Sequence, residues 1–152
     1  MSKSGNLISK ENNLLIYNLS IQLLRLVYSL AAPFHAKAQL FVAGRKGLFD
    51  KLKISMSQNT NPLVWVHCAS LGEFEQGRPI MEAFKRDYPD YKILLTFFSP
   101  SGYEVRKNYA GADYIFYLPW DSSSNAKQFI QLTKPVLAIF IKYEFWYHYL
   151  RI

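Results

Sequence analysis

Four apolar runs, at 63–68, 92–97, 114–118 and 136–141, alternate with stretches of helical periodicity at 74–88, 101–109 and 123–132. A further helix is predicted to begin near Glu144. Strands that are apolar throughout, rather than alternately polar and apolar, must be covered on both faces. Strands separated by amphipathic helices pair in parallel, and right-handed crossovers make of them a Rossmann-like layer. The predicted class is therefore α/β with a parallel sheet. Ligands of such sheets meet the loops at the carboxyl ends of the strands. Four loops fall there: Ala69-Ser70-Leu71-Gly72-Glu73, Ser99-Pro100-Ser101-Gly102, Pro119-Trp120-Asp121 and Lys142-Tyr143-Glu144-Phe145-Trp146.

The chain ahead of this pattern is of a different kind. A polar stretch at 55–62 reads as a linker. It separates an anchoring segment, 1–54, from the Rossmann-like domain, 61–152. Residues 14–32 form an apolar run without proline or glycine, closed by Pro33. Asn18, Gln22, Arg25 and Ser29 follow one another at helical spacing, so they make one narrow polar stripe beside a wide apolar face. Such a helix is about 28 Å long, roughly the hydrocarbon thickness of a bilayer. It can span the membrane, lie in the interface, act as a signal peptide cut after Ala36-Lys37-Ala38, or sit in a soluble core. Arg25 inside the run argues against the signal peptide. The expected role is a membrane anchor, spanning or interfacial.

Charge supports that role. Residues 1–60 hold eight Lys/Arg against Glu11 and Asp50, whereas 61–152 hold ten against nine acids. A basic excess beside an apolar helix points to anionic membrane lipid rather than nucleic acid. Lys37, Arg45, Lys46, Lys51 and Lys53 outweigh Lys3 and Lys10 on the other flank, which keeps the globular part on the cytoplasmic side. Gly44-Arg45-Lys46-Gly47 reads as a basic turn, with Arg45 and Lys46 as candidates for a phosphate or lipid headgroup. The single cysteine, Cys68, forms no internal disulfide and suits a reducing compartment.

Several chemistries are excluded. No Gly-x-Gly-x-x-Gly follows a strand, and no phosphate-loop motif is present. Asp-x-Asp and His-Glu-x-x-His are also missing, so neither a metal site nor a cofactor is expected.

At its four loops the chain resembles the N-terminal half of the 3-deoxy-D-manno-octulosonic acid (Kdo) transferases of lipopolysaccharide synthesis. The resemblance rests on Trp65-Val66-His67-Cys68-Ala69-Ser70-Leu71-Gly72-Glu73, Thr96-Phe97-Phe98-Ser99-Pro100-Ser101-Gly102, Leu118-Pro119-Trp120-Asp121 and Glu144-Phe145-Trp146, in that order. It implies the N-terminal half of a GT-B glycosyltransferase. In that half a lipid A precursor is the acceptor, and a C-terminal domain, not in this chain, binds the donor CMP-Kdo. The fragment is then expected to be inactive alone. The expected location is the cytoplasmic face of the inner membrane. The resemblance makes Glu73 the catalytic base and Glu144 a second site residue. The family's pattern differs around Glu144, because Lys142 stands in place of a Glu and Tyr147-His148 in place of Pro-Asn.

The chemistry is sensible in its own right, since transfer to an alcohol needs a base for the hydroxyl proton. Glu73 would open a helix, where its charge gains from the dipole. Ser70 and Gly72 before it, and Ser99, Ser101 and Gly102 on the second loop, are substrate-binding candidates. Ser99 and Ser101 also suit a helix N-cap. His67 and Cys68 read as core residues facing opposite sides of a strand. Two other functions fit the same pattern: a membrane-tethered Rossmann-like binding module without catalysis, and a GT-B transferase for another lipid acceptor.

Overall fold

The computed structural model describes residues 3–142 and 144–152, with side chains from Asn12 onward. Tyr143 of the fourth loop lies outside the described residues, as do the side chains of Lys3, Lys10 and Glu11. The elements in chain order are α1 (Lys3–Ala31), α2 (Ala36–Ala43), α3 (Leu48–Ser57), β1 (Leu63–Cys68), α4 (Leu71–Asp87), β2 (Lys92–Phe97), α5 (Pro100–Arg106), β3 (Tyr114–Tyr117), α6 (Ser123–Thr133) and β4 (Leu137–Phe140).

The four strands make one parallel sheet in the order β3-β2-β1-β4. Strand β1 is central, with Val66 opposite Leu95 on one side and Ile139 on the other. All six of its residues are buried, which is why its apolar run is unbroken. Successive side chains leave it on opposite faces. Val64, Val66 and Cys68 enter the layer under α4 and α5 with Phe74, Met81 and Leu95. Leu63 and Trp65 enter the layer under α3 and α6 with Leu52, Leu94 and Phe129. Full burial of each large side chain contributes about 1.5–3 kcal/mol. Leu48 and Leu52 of α3 are both inside this second layer, so α3 packs on the sheet.

The order of the strands fixes where a ligand would sit. From β1 the chain moves outward to β2 and β3, then returns through α6 to β4 on the other side of β1. The connections leaving the carboxyl ends of β1 and β4 therefore part in opposite directions. That topological switch point is the crevice that open α/β sheets use for ligands.

Where periodicity predicts a helix from Glu144, the chain runs irregularly to a single 3₁₀ turn at Tyr149–Arg151. The backbone N–H of Tyr147 goes to the Tyr17 hydroxyl (3.3 Å) and that of His148 to Asp121 Oδ2 (3.1 Å). Both donors are diverted from the carbonyls a helix would offer.

Helix α1 is not a core helix. Its apolar window, Asn12–Ala31, is only 6% buried, so the soluble-core alternative fails. Leu15, Ile16, Leu19, Leu23, Leu26, Val27 and Leu30 are exposed, as is Phe34 just beyond. The opposite face docks on the domain: Tyr17 on Asp121, Asn18 on His148, and Tyr28 stacked on Phe41 with ring centroids 4.0 Å apart. Asn18 and Gln22 line a cavity of ≈ 600 Å³ with Asp121 and Lys127, and Arg25 and Ser29 line another of ≈ 370 Å³ with Arg45, Lys46 and Trp120. The polar stripe thus borders the seam between α1 and the domain.

Candidate active site

Strand β1 ends in Cys68, and α4 begins two residues after Ala69 with Ser70 as its extended N-cap. Ser70 does not cap the helix with its side chain. Its hydroxyl donates instead to the Glu73 carboxylate. Glu73 stands in the first turn of α4, where the backbone dipole favours a negative charge. The Ser70 bond, its largest stabiliser, holds the Glu73 carboxyl below its ordinary range; burial opposes this, while backbone N–H groups and Lys142 add to it. Lys142 Nζ lies 3.7 Å from Glu73 Oε1.

Lys142 follows β4 and has a left-handed backbone, φ 65. That conformation is uncommon for a side-chain-bearing residue and strained by about 1 kcal/mol or more. It turns the chain sharply at the switch point, and Glu144 comes next in the described chain. Burial, and then the charge of Glu73, push the Glu144 carboxyl above its ordinary range. The Cys68 thiol, beneath both, is pushed up to about 12 by burial and by the same two carboxylates. So the first and fourth loops bring two carboxylates into one field, with a lysine paired to one of them. Paired carboxyls whose proton affinities are driven apart are a recurring arrangement for acid–base work.

The floor of this site is a polar ladder through the sheet. Trp65 Nε1 donates to Thr96 Oγ1 at 2.8 Å. His67 Nδ1 lies 3.1 Å from the Thr96 carbonyl and 2.9 Å from its hydroxyl. Trp146 Nε1 donates to His67 Nε2 at 3.1 Å, so the imidazole carries its proton on Nδ1. Burial drives the His67 pKa down to about 3, which keeps the ring neutral. His67 is therefore a fixed acceptor that pins Trp146 over the sheet, and Cys68 faces the other layer, as alternation predicts.

The remaining candidates are spread around the rim. Ser99 caps α5 by accepting from the Ser101 backbone N–H (3.3 Å), and the two hydroxyls are 3.0 Å apart. Gly102 is buried, and a Cβ there would stand 2.3 Å from the Phe97 ring. Gly72 has open space above it, with nothing nearer to such a Cβ than Ser70 Oγ at 3.9 Å. Its backbone is not left-handed, so the turn itself does not require glycine there.

Arg45 turns inward. Its guanidinium donates to the carbonyls of Leu118 (3.0 Å), Phe41 (3.0 Å) and Phe98 (2.7 Å). It sits among the rings of Phe41, Phe98, Tyr117 and Trp120. Burial lowers its pKa to about 9. Arg45 thereby ties α2 to the second and third loops, while Lys46 beside it is exposed. Among the described residues no three His, Cys, Asp or Glu gather as a metal site.

Lys142, Tyr17 and Asp121 were not among the sequence candidates. Lys142 shows in the sequence only as a departure from the family pattern. The other two meet across 104 positions of chain, which no local pattern reveals.

A family model described as 3-deoxy-D-manno-octulosonic-acid transferase (kdotransferase) matches residues 43–152. Three curated proteins, each named 3-deoxy-D-manno-octulosonic acid transferase, are similar to the chain. The one from Aquifex aeolicus is 39% identical over 90 residues, 59% of this chain and 25% of that protein. The one from Haemophilus influenzae is 32% identical over 84 residues, 55% of this chain and 20% of that protein. The one from Chlamydia muridarum is 34% identical over 92 residues, 59% of this chain and 21% of that protein. The matched part thus spans a quarter or less of these relatives.

Proposed function

Because this chain belongs to the 3-deoxy-D-manno-octulosonic-acid transferase family, we propose that it supplies the acceptor-side, membrane-facing part of an enzyme that transfers Kdo from CMP-Kdo to a lipid A precursor. The observation that carries the reading is the meeting of the Glu73 and Glu144 loops at the switch point of the sheet. Glu73 takes the proton of the attacking hydroxyl. Its depressed pKa keeps it ionised and able to accept at neutral pH. The resulting acid is stabilised less than in a base matched to neutral pH, so Glu144 has the complementary part: its raised proton affinity lets it share or receive the proton as the bond forms. Ser70 orients Glu73, and the open space over Gly72 admits the acceptor close to the backbone. In this reading Ser99 and Ser101 of the second loop, and the exposed Lys46, offer further polar contacts to the acceptor.

Helix α1 holds this site at the lipid surface, on the cytoplasmic face of the inner membrane. The docked Tyr17, Asn18 and Tyr28 favour a helix lying in the interface over one that spans, because a span would strip these contacts away. The apolar side then enters the acyl boundary, and Lys37, Lys51 and Lys53, all exposed, meet anionic headgroups.

The experiment is a single-turnover assay with CMP-Kdo and a lipid A precursor. The catalyst is this chain joined to the unmatched part of the Aquifex aeolicus relative. Glu73→Gln is expected to slow the chemical step by about 10²–10⁴-fold, with acceptor affinity changed much less. Transfer at an undiminished rate in Glu73→Gln overturns the assignment.

A further inference from the structure

Helix α1 reaches the loop that carries Glu144. The Tyr17 hydroxyl donates to Asp121 Oδ2 and accepts the backbone N–H of Tyr147 at 3.3 Å. The same carboxylate oxygen accepts the backbone N–H of His148 at 3.1 Å. His148 in turn places Nε2 2.7 Å from Asn18 Oδ1. The Tyr17 ring lies 5.7 Å from that of Tyr147 and 6.0 Å from that of His148. Asp121 is 1% exposed, and hydrogen bonds to a buried carboxylate are strong, while Asn18 and His148 border the open cavity beside it.

Residues 144–148 have neither helix nor strand to hold them. Two anchors hold residues 146–148, which follow Glu144. One is Trp146, bonded to His67 on the sheet. The other is the Tyr17–Asp121–Asn18 junction, half of which belongs to α1. We propose that Tyr17 and Asn18 are positioning residues: α1, besides meeting the membrane, fixes the loop that carries Glu144, so that the site is complete only while α1 is docked. The proposal rests on the reading of Glu144 as a site residue. Its consequence is a coupling between the lipid surface and the transfer step, because anything that lifts α1 off the domain also releases the second carboxylate. Misplacing a catalytic group by an ångström from a distance costs about 10²-fold in rate.

Tyr17→Phe tests it, since the ring and its packing stay while the bridging hydroxyl goes. Tyr28→Phe is the control: it lies on the same helix, stacked on Phe41 and away from the loop. In the full chain on vesicles of mixed zwitterionic and anionic phospholipid, Tyr17→Phe is expected to speed amide exchange at Tyr147 and His148 by about tenfold, the effect of 1.4 kcal/mol. Exchange in β1 and β2, and vesicle binding, stay as they are. Tyr28→Phe leaves the loop amides unchanged. In the joined transferase described above, Tyr17→Phe lowers kcat by about ten- to a hundredfold with little change in KM. Unchanged exchange at Tyr147 and His148 overturns the coupling. Faster exchange with wild-type kcat overturns the positioning role while leaving the contact. If Glu144→Gln itself transfers Kdo at the normal rate, the failure lies in the reading of Glu144, and the altered exchange in Tyr17→Phe tells that case apart.

Discussion

Lys142 Nζ lies 3.7 Å from Glu73 Oε1, across the gap between the loops that leave β4 and β1. A cation thus stands where the family resemblance leads one to expect a carboxylate, and it faces the proposed base. It is one of several contributors that hold the Glu73 pKa down, behind the Ser70 hydroxyl. Lys142→Met is expected to raise the Glu73 pKa, and Ser70→Ala to raise it more. A carboxyl-carbon NMR titration reads both. Equal pKa values in wild type and Lys142→Met would mean that solvent screens the pair and that Lys142 serves only the turn.

The two carboxyls carry opposite signs in stability against pH. The folded pKa of Glu73 lies below its ordinary 4.5, so its stabilisation is full above pH 4.5 and lost as pH falls through the folded value. The folded pKa of Glu144 lies above 4.5, so ionising it opposes folding above that raised value, and the penalty vanishes below pH 4.5. Glu144→Gln should therefore stabilise the chain at neutral pH and do little at pH 4. Glu73→Gln should destabilise it at neutral pH, and should also bring the Glu144 pKa down by removing a neighbouring charge. Urea unfolding at the two pH values checks the signs. A Glu144→Gln chain less stable than wild type at pH 7 contradicts the assignment of burial as the cause.

Two glycines that look alike in the sequence have different surroundings. At Gly102 a methyl group would collide with the Phe97 ring, which α5 presses against β2. Gly102→Ala is expected to destabilise by about 1–3 kcal/mol through overpacking. At Gly72 the space is free, and Gly72→Ala should be neutral or stabilise by about 0.4–1 kcal/mol. If the acceptor approaches over Gly72, that same variant loses acceptor affinity without losing stability. Thermal unfolding beside acceptor binding separates packing from recognition at both positions. A Gly72→Ala chain with intact acceptor affinity removes Gly72 from the binding surface.

The inner strands were legible because burial on both faces leaves a direct mark on the sequence, whereas the edge strand β4 is apolar yet exposed at Leu137 and Ala138. Strands β1 and β2 coincide with the apolar runs at 63–68 and 92–97, each bounded by polar or turn residues. Helices α2 and α3 were not foreseen. The spacing of Leu48 and Leu52 on one helical face was the signal for α3, masked by the basic residues around it. The helix predicted from Glu144 failed for the opposite reason. Its local pattern is helical, but Asp121 and Tyr17 bind its amides from far away in the chain. Local periodicity carries no information about such partners. The same limit hid the inward turn of Arg45, whose three carbonyl acceptors come from three separate segments. Topology collects the rim loops at the carboxyl ends of parallel strands, and the family resemblance singled out Glu73 and Glu144 within them.

The exposed side of α1 is the last relationship open to a direct test. Leu15, Leu19, Leu23 and Leu30 are each more than half exposed, while Tyr17, Asn18 and Ile21 face the domain. An interfacial helix buries the first set in lipid and leaves the second in protein. Leu19→Lys with Leu23→Lys should then reduce vesicle binding strongly, because each change removes buried apolar area and adds a charge at the acyl boundary. The fold should survive, because neither residue packs against the sheet. Raising salt should weaken binding of wild type only in part, since headgroup attraction to Lys37, Lys51 and Lys53 is screened beyond about 8 Å at physiological ionic strength whereas apolar burial is not. Arg25→Leu distinguishes the two modes of insertion. For a spanning helix it would relieve a penalty of about 2.5–3.5 kcal/mol near mid-bilayer and strengthen insertion. For a helix lying at the seam, where Arg25 borders a cavity with Trp120, it should change binding little. Flotation of wild type and the two variants, with and without salt, reads all of this. Unaltered binding in the double lysine variant would show that the exposed leucines do not meet lipid and that the anchor lies elsewhere.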